Sequence, residues 1–196
     1  MRPVPRETQK RLEHFAELVL AENERQNLIA ASTAEAFWTR HILDSLQLLD
    51  HAPSRPGLWL DIGSGAGLPG IVIAIASAHR LVLVEPRRKR AEFLVRCCEA
   101  LGLTDVVVEQ SRVERLSMAA DVISARAVAS LDTLFGWAIE IGSGDARMIL
   151  PRGVNALSEL EAARMAWHGD FQLAPSVTAP GSGIVLAQHV RRRKAQ

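Results

Sequence analysis

The sequence has few cysteines, no tyrosine and almost no net charge. Among 196 residues there are two cysteines, and the formal net charge is +1. Cys97 and Cys98 are adjacent, and neighbouring residues do not readily adopt disulfide geometry. We therefore expect two reduced side chains in a helix core, which excludes disulfide and Cys-based zinc scaffolds. The small net charge argues against a protein that grips nucleic acid through a large overall positive field.

Long apolar runs are also missing. The longest, residues 68–78, contains Pro69 and Gly70 and is far shorter than the ~20 residues of a membrane-spanning helix. The N-terminal residues 1–17 are charged and lack the apolar core of a signal peptide. We therefore expect no membrane span and a cytoplasmic protein. With 48% hydrophobic residues, a chain of this length can form one independent core.

Lysine and aromatic residues are scarce as well. The 23 basic residues are nearly all arginine. The planar guanidinium group binds phosphates and guanine edges better than the lysine ammonium does. A GC-rich coding bias would give the same excess, so both explanations stay open. Five Phe and four Trp offer no stacking platform of the kind that single-strand binders carry.

After residue 57, apolar segments alternate between strand-like and helix-like patterns. Strands are predicted at residues 58–62, 80–85, 105–109, 121–125 and 146–150, helices at 68–78, 87–101, 130–141 and 155–167, and a short helical turn at 112–116. Nearly all-apolar strands that alternate with helices indicate a parallel sheet covered on both faces. The last two strands, 171–178 and 184–190, leave no room for a crossover helix between them and should pair antiparallel. The prediction is an α/β fold with a mainly parallel seven-stranded sheet whose last strand is antiparallel.

Two helices are predicted before the sheet. Residues 4–23 have the pattern of an amphipathic helix. A second helix is predicted over residues 33–49, and it begins with Ser32 and Glu35 at capping-box spacing. We expect one compact unit with three parts: a helical appendage over residues 1–52, a main domain over 53–190 and a basic tail over 191–196.

The strongest signal is a glycine-rich segment between the first strand and the next helix, Asp61-Ile-Gly-Ser-Gly-Ala-Gly-Leu-Pro-Gly70. Glycines there let the backbone turn tightly and let a ligand approach without meeting a Cβ atom. Residues 65–70 match the dinucleotide fingerprint G-x-G-x-x-G, which alone is weak evidence. A loop that merely packs a strand on a helix is the alternative.

Three features favour S-adenosylmethionine over NAD as the ligand of this loop. Pro69 removes a backbone N–H where a pyrophosphate would use every donor. Asp61 places a carboxylate at the strand end, which suits a cationic ammonium or sulfonium group. The closing antiparallel hairpin belongs to the methyltransferase version of the doubly wound sheet. Glu85, at the end of the second strand, can accept hydrogen bonds from the ribose hydroxyls of either cofactor, or is a surface acid.

Five segments together resemble one family in their order and spacing. They are Asn27-Leu-Ile-Ala30, Arg40-His-Ile-Leu-Asp-Ser45, the loop from Asp61 to Gly70, Ser111-Arg-Val-Glu114 and Ser124-Ala-Arg-Ala-Val-Ala-Ser130. Over about residues 25–155 the chain resembles the RsmG family, formerly glucose-inhibited division protein B. The resemblance implies a Rossmann-like class I S-adenosylmethionine-dependent methyltransferase. Its implied reaction is methyl transfer to N7 of a guanine in the 530 loop of 16S rRNA, in the 30S ribosomal subunit.

The resemblance also implies a set of site residues. Positions equivalent to Gly63, Leu68, Val113, Glu114 and Arg126 are expected to contact the cofactor, and the residue patterns add Gly65 and Glu85. Arg40, His41 and Arg152 are candidate substrate contacts. Alternatives exist for four of these: a surface ion pair between Arg40 and Asp44, a partly buried His41 without a functional role, a solvated Arg152, and a capping role for Glu114 with Ser111.

No general acid or base is assigned, and Arg126 and His41 are the candidates for a catalytic role. Guanine N7 already carries an in-plane lone pair and loses no proton on attack, so alignment and exclusion of water would suffice. Many amino-group methyltransferases resemble one another in an Asn or Asp-Pro-Pro-aromatic motif, where this chain has Ser-Ala-Arg-Ala at 124–127. We expect neither a metal nor a membrane partner.

The basic runs at residues 87–90 and 191–194 are candidate sequence-independent RNA contacts or solvated faces. Two rival functions remain at this point. One is an NAD-dependent oxidoreductase built on the same loop. The other is a non-catalytic RNA- or ribosome-binding protein.

Overall fold

The computed structural model describes residues 4–194. Its seven strands form one sheet in the order β3-β2-β1-β4-β5-β7-β6. The strands are β1 Leu58–Ile62, β2 Arg80–Val84, β3 Val106–Glu109, β4 Ala120–Ala125, β5 Gly142–Arg152, β6 Trp167–Pro175 and β7 Gly183–Arg192. Strands β1 to β5 pair in parallel, and β7 pairs antiparallel with both β5 and β6. The predicted mainly parallel sheet with an antiparallel last strand is confirmed.

Helices cover both faces of the sheet. They are α1 Arg6–Gln26, α2 Ala31–Ala34, α3 Asp44–Leu46, α4 Gly70–Ala76, α5 Arg88–Ala100, α6 Leu131–Ile141 and α7 Ala156–Ala166. Alternate strand residues face opposite sides, so Trp59 lies in one core cluster with side chains of α1, α4 and α5, and Leu60 in another with α6 and α7. Between residues 4 and 194, no helix is long and apolar enough to cross a membrane.

The first helix is part of this core. Leu12, Phe15 and Val19 are fully buried in the cluster that also contains Ile71 of α4 and Leu94 of α5. The two cysteines are free and buried in α5. Burial raises the pKa of Cys97 to about 12 and that of Cys98 to about 11, so both thiols stay protonated at neutral pH.

The second predicted helix is wrong in its detail. The helical stretch begins at Ala31, with no side-chain cap, and changes to a π-helical turn over Trp38–Leu43 before α3 and a 3-10 turn over Gln47–His51. Ser32 does not cap it. Instead the Thr33 hydroxyl donates to the Ala30 carbonyl at 2.8 Å. A π-helical turn shifts the side chains that follow it, which changes what the residues of Arg40-His-Ile-Leu-Asp-Ser45 face.

The other boundaries differ mainly in the last strands. β6 begins at Trp167, whereas we expected residue 171, and β7 continues to Arg192, which pairs with Trp167. Arg191 and Arg192, predicted to begin a tail, are thus strand residues. The predicted appendage also includes residues 1–3 and the predicted tail residues 195–196, which lie outside the described residues.

Candidate functional site

The glycine-rich loop is shaped by backbone conformations that favour glycine. Gly63, Gly65 and Gly67 have φ angles of 68°, 55° and 84°, in the left-handed region where a Cβ is costly. The N–H groups of Gly63 and Ser64 donate to the Val84 carbonyl at 2.8 and 3.0 Å. These bonds fix the loop at the carboxyl edge of β1 and β2, the edge at which open α/β sheets bind ligands.

Glu85 supports the same loop from β2. One carboxylate oxygen accepts the Gly65 N–H at 3.0 Å, and the other accepts the Arg87 N–H at 2.9 Å. The residue is only 4% exposed. Each oxygen keeps a further lone pair, so the carboxylate can also accept the two hydroxyls of a ribose. These acceptor atoms fit the ribose hydroxyls of an adenosyl cofactor.

Asp61 has a different role from the one expected. Its side chain is fully buried beneath the loop, where it accepts the Ser124 hydroxyl at 2.6 Å and the Gly70 N–H at 3.2 Å. Burial raises the pKa of Asp61 to about 6, against the opposing effect of these hydrogen bonds. A carboxylate with no exposed surface does not meet a cationic ligand directly. It holds the start of α4 to the end of β1 instead.

Two adjoining cavities open beside the loop. One has a volume of about 390 Å³ and the other about 210 Å³, and they share Gly63, Pro86 and Val128. Gly65, Leu68, Glu85 and Arg126 line the first, and Val113 and Glu114 line the second. The structure thus brings all the cofactor candidates to one continuous concave surface.

Val113 and Glu114 follow β3 in a 3-10 turn, Val113–Arg115. The turn has no side-chain cap, and the Ser111 hydroxyl donates to the Arg112 carbonyl at 2.9 Å. The alternative in which Ser111 and Glu114 form a capping box is therefore wrong. Val113 is buried and Glu114 is exposed at the cavity, an arrangement in which an apolar side chain packs against a ring while a carboxylate meets its edge.

A third cavity of about 560 Å³ lies on the other side of the loop after β4. It shares Arg126, Ala127 and Val128 with the 390 Å³ cavity. Arg40, His41 and Arg152 all line it, together with Asp44, Gln47, Glu159 and residues of the β6–β7 loop. The substrate candidates thus lie across the residue 126–128 segment from the cofactor candidates.

Arg126 is held by two partners from the second helical stretch. Its Nη1 lies 3.5 Å from Asp44 Oδ2 and donates to His41 Nδ1 at 3.3 Å. The alternative ion pair is therefore wrong: Asp44 pairs with Arg126, while Arg40 is exposed. Burial lowers the pKa of Arg126, and Asp44 and Asp61 oppose the shift. An arginine in such a site stays charged at neutral pH.

His41 is neutral in this arrangement. Burial, followed by the charge of Arg126, lowers the pKa of His41 to about 4. Because Nδ1 accepts from Arg126, Nε2 carries the proton and donates to the Thr33 hydroxyl at 3.0 Å. Both ring nitrogens are thus engaged in orienting neighbours.

Asp44 also links the site to the β6–β7 loop. Its Oδ1 accepts the Thr178 hydroxyl at 2.6 Å and the Gln47 amide at 2.8 Å. The Val177 N–H donates to Gln47 Oε1 at 2.9 Å. Sequence reasoning missed Gln47 and Thr178. They carry no motif, and contacts over 130 positions of sequence leave no local signal.

Arg152 lies at the end of β5 and is not solvated. Its Nε and Nη2 both lie 2.6 Å from Glu159 Oε2, and Nη1 donates to the Ala129 carbonyl at 2.9 Å. The guanidinium therefore ties the wall of the third cavity together. Its side chain is 12% exposed, which leaves a small face toward the cavity.

The basic run at residues 87–90 divides between two environments. Arg87 and Arg90 line the 390 Å³ cavity, whereas Arg88 pairs with Glu92 at 2.7 Å on the surface of α5. Within this run, Arg87 and Arg90 are the residues placed to meet a ligand of the glycine-rich loop.

Comparison with known proteins gives consistent results. The family model for rRNA small subunit methyltransferase G matches residues 8–181. A protein of Rhizorhabdus wittichii named ribosomal RNA small subunit methyltransferase G is 48% identical, over 97% of this chain and 89% of its own length. One with the same name from Zymomonas mobilis is 44% identical, over 97% and 90%.

Solved structures share the fold at low sequence identity. The ribosomal protein L11 methylase of Lactobacillus delbrueckii subsp. bulgaricus is 17% identical with a TM-score of 0.60, covering 79% of each chain. A SAM-dependent methyltransferase of Aquifex aeolicus is 12% identical with a TM-score of 0.59, covering 78% of this chain and 92% of its own. On the family model and the relatives, the chain belongs to the rRNA small subunit methyltransferase G family.

Proposed function

We propose that this protein transfers the methyl group of S-adenosylmethionine to N7 of a guanine in the 530 loop of 16S rRNA. One observation carries the proposal. The cavities that hold every cofactor candidate meet the cavity that holds every substrate candidate at Arg126, Ala127 and Val128. The family relationship supports the same chemistry.

The nucleoside part of the cofactor fits the two smaller cavities. Glu85 is the acceptor for the ribose hydroxyls, and Val113 with Glu114 forms the slot for the adenine. Gly63 and Gly65 let the loop approach the ligand closely. A pyrophosphate is a poor fit here, because a buried carboxylate, Glu85, already accepts the Gly65 N–H that would bind phosphate.

S-adenosylmethionine supplies a methyl group on a positively charged sulfur. With both reactants bound, the N7 lone pair would take the methyl group, the neutral thioether would leave with the electron pair of the carbon–sulfur bond, and the purine would become cationic. No proton leaves N7, so the neutral His41 has no proton to take. The work of the protein is to align the reactants and exclude water.

We propose Arg126 as the residue that borders both reactants. Its charge is balanced by Asp44 at 3.5 Å, which limits repulsion as the purine becomes cationic. His41 keeps the guanidinium oriented, and Arg40 and Arg152 border the RNA side of the cavity. The partner is 16S rRNA in the small ribosomal subunit, and the place of action is the cytoplasm, where that substrate is found.

Methyl-transfer assays test the proposal. Tritiated S-adenosylmethionine is incubated with the protein and with 30S subunits from cells lacking the modification, and the expected result is label in 16S rRNA. Cofactor binding without label would favour the non-catalytic RNA-binding protein. Calorimetric titration with S-adenosylmethionine and NAD distinguishes the oxidoreductase, since binding of NAD alone would overturn the proposal.

A further inference from the structure

A second basic surface lies at the opposite end of the last three strands. We name it the arginine end, and define it by Arg147 on β5, Arg164 on α7, Arg191 and Arg192 at the end of β7, and Arg193 directly after β7. A cavity of about 550 Å³ opens there, lined by Arg147, Arg164, Arg193 and His168. Asp170 is the acidic residue in its lining.

The guanidinium groups of the arginine end are held by neutral partners. Arg193 Nε donates to the Arg164 carbonyl at 3.0 Å, and Arg164 Nη2 donates to the Phe171 carbonyl at 3.2 Å. The Arg192 guanidinium lies over the Trp167 ring, 5.2 Å from its centroid. Backbone carbonyls and rings orient a guanidinium but do not neutralise it.

Carboxylates near the arginine end are engaged elsewhere. His189 lies 2.6 Å from Asp170 and 3.4 Å from Asp145. Its hydrogen bond to Asp170 raises the pKa of His189, which favours the cation between two acids. Within residues 4–194, no Asp or Glu oxygen lies within 4.0 Å of the five guanidinium groups.

Arg147, which lines the cavity, likewise has no carboxylate to balance its charge among the described residues. Its Nη1 makes one long hydrogen bond, 3.3 Å to Gln188 Oε1. Its Nε is buried without a partner among the described residues. A charged group with unmet hydrogen bonds is costly, and an anion seated in the cavity would offset that cost electrostatically.

We propose that the arginine end binds the phosphate backbone of the RNA substrate at a second place, away from the target base. The proposal rests on the proposed function for the identity of the RNA. Four exposed arginines beside the half-buried Arg147 suit a polyanion that is bound without regard to sequence. Arg147 and Arg152 are five residues apart on β5, which separates their Cα atoms by about 16 Å along the strand.

This distance suits a structured RNA. Proteins that recognise RNA by shape contact its phosphates and 2′-hydroxyls at several places along the molecule. A second contact would fix the orientation of the RNA while the target guanine enters the 560 Å³ cavity. It would affect RNA affinity and leave cofactor binding unchanged.

The test uses the full chain and the double variant Arg164→Gln/Arg193→Gln. Filter binding measures the affinity for protein-free 16S rRNA at 50 and 200 mM salt. With two phosphate contacts and a slope of about 0.8 for each, the wild type should lose about 9-fold more affinity over this range than the variant. The KM for RNA should rise, while kcat and the Kd for S-adenosylmethionine should stay unchanged.

Two further variants act as controls. Arg6→Gln/Lys10→Gln removes the same charge from exposed positions on α1 and should keep the wild-type salt slope. Arg164→Lys/Arg193→Lys keeps the charge and should keep most of the slope. If the first double variant does not fold, as judged by its melting curve, Arg191→Gln/Arg192→Gln replaces it at exposed positions.

Equal salt slopes for the wild type and the variant would overturn the proposal. So would a change seen with intact 30S subunits but not with protein-free RNA, because that result assigns the surface to a ribosomal protein. Failure of the proposed function is separate. It would appear as a wild-type protein that methylates no RNA, and the binding comparison would still stand.

Discussion

Gly63 lies where a single methyl group should disturb the site most. A Cβ at this position would lie 2.6 Å from Val128 Cγ2 and 3.1 Å from Val128 Cγ1, on a backbone with φ of +68°. Val128 lines all three cavities of the site. The Gly63→Ala variant must therefore displace the residue at which they meet.

The expected cost has two parts. The left-handed backbone costs a non-glycine residue about 1–2 kcal/mol, and moving Val128 off its rotamer adds about 1 kcal/mol. A loss of about 2–3 kcal/mol is smaller than the usual stability of a domain, so the protein should fold with a lower Tm. Cofactor affinity should fall at least about 10-fold, because a misplaced Val128 obstructs both smaller cavities.

Isothermal titration with S-adenosylmethionine measures the affinity, and thermal melts measure the stability. Gly63→Ala/Val128→Ala should regain part of the affinity, because it removes the clash but not the backbone strain. Gly136→Ala is the matched control: it lies in α6 with nothing within 4 Å of an added Cβ. That substitution should leave the affinity unchanged and raise stability by up to about 1 kcal/mol. An unchanged Kd for Gly63→Ala would show that the position of Val128 does not limit cofactor binding.

Three further predictions concern the residues around the loop. The pKa of His41 lies near 4 in the folded protein, below its unfolded value, so the unfolded protein binds the proton first as the pH falls and the folded protein is destabilised. Chemical denaturation should show that the free energy of unfolding falls by about 2 kcal/mol more for the wild type than for His41→Asn between pH 7 and pH 5. Equal losses would show that His41 titrates normally. Arg126→Ala should lower kcat for RNA methylation far more than it lowers the Tm, and equal proportional losses would return Arg126 to a structural role. Glu85→Gln places an amide against the Gly65 or Arg87 N–H group and should weaken S-adenosylmethionine binding at least about 10-fold. Glu92→Gln, on the surface of α5, is the control. Equal affinities of the wild type and Glu85→Gln would show that Glu85 does not bind the ribose.

The order and type of the main elements were predictable because each leaves a local pattern. The apolar strands and the end of α5 before Gly102, whose φ is 59°, follow from neighbours in sequence. The glycine-rich loop was predictable for the same reason. The strand ends were less so, because β6 and β7 stabilise each other beyond their apolar segments.

The interior of the site could not be predicted from local patterns. Arg126 meets His41 across 85 positions of sequence, and no spacing rule gives such a contact. The helix also contains a π-helical turn over Trp38–Leu43, and Asp44 pairs with Arg126 and not with Arg40, the partner expected from regular helical spacing. Asp61 was expected to contact a cationic ligand because its position at the start of the loop can be predicted from the sequence. Its complete burial cannot be predicted in this way.

The proposed target of the methyl group is N7 of one guanine in 16S rRNA. The most direct test labels undermethylated 30S subunits with the purified protein and S-adenosylmethionine, digests the rRNA and maps the modified nucleotide by mass spectrometry. We expect a single N7-methylguanosine in a fragment of the 530 loop, and at least about 10-fold less of it with the Gly63→Ala variant at limiting cofactor. A methyl group on another atom or another base, or none in 16S rRNA, would contradict it.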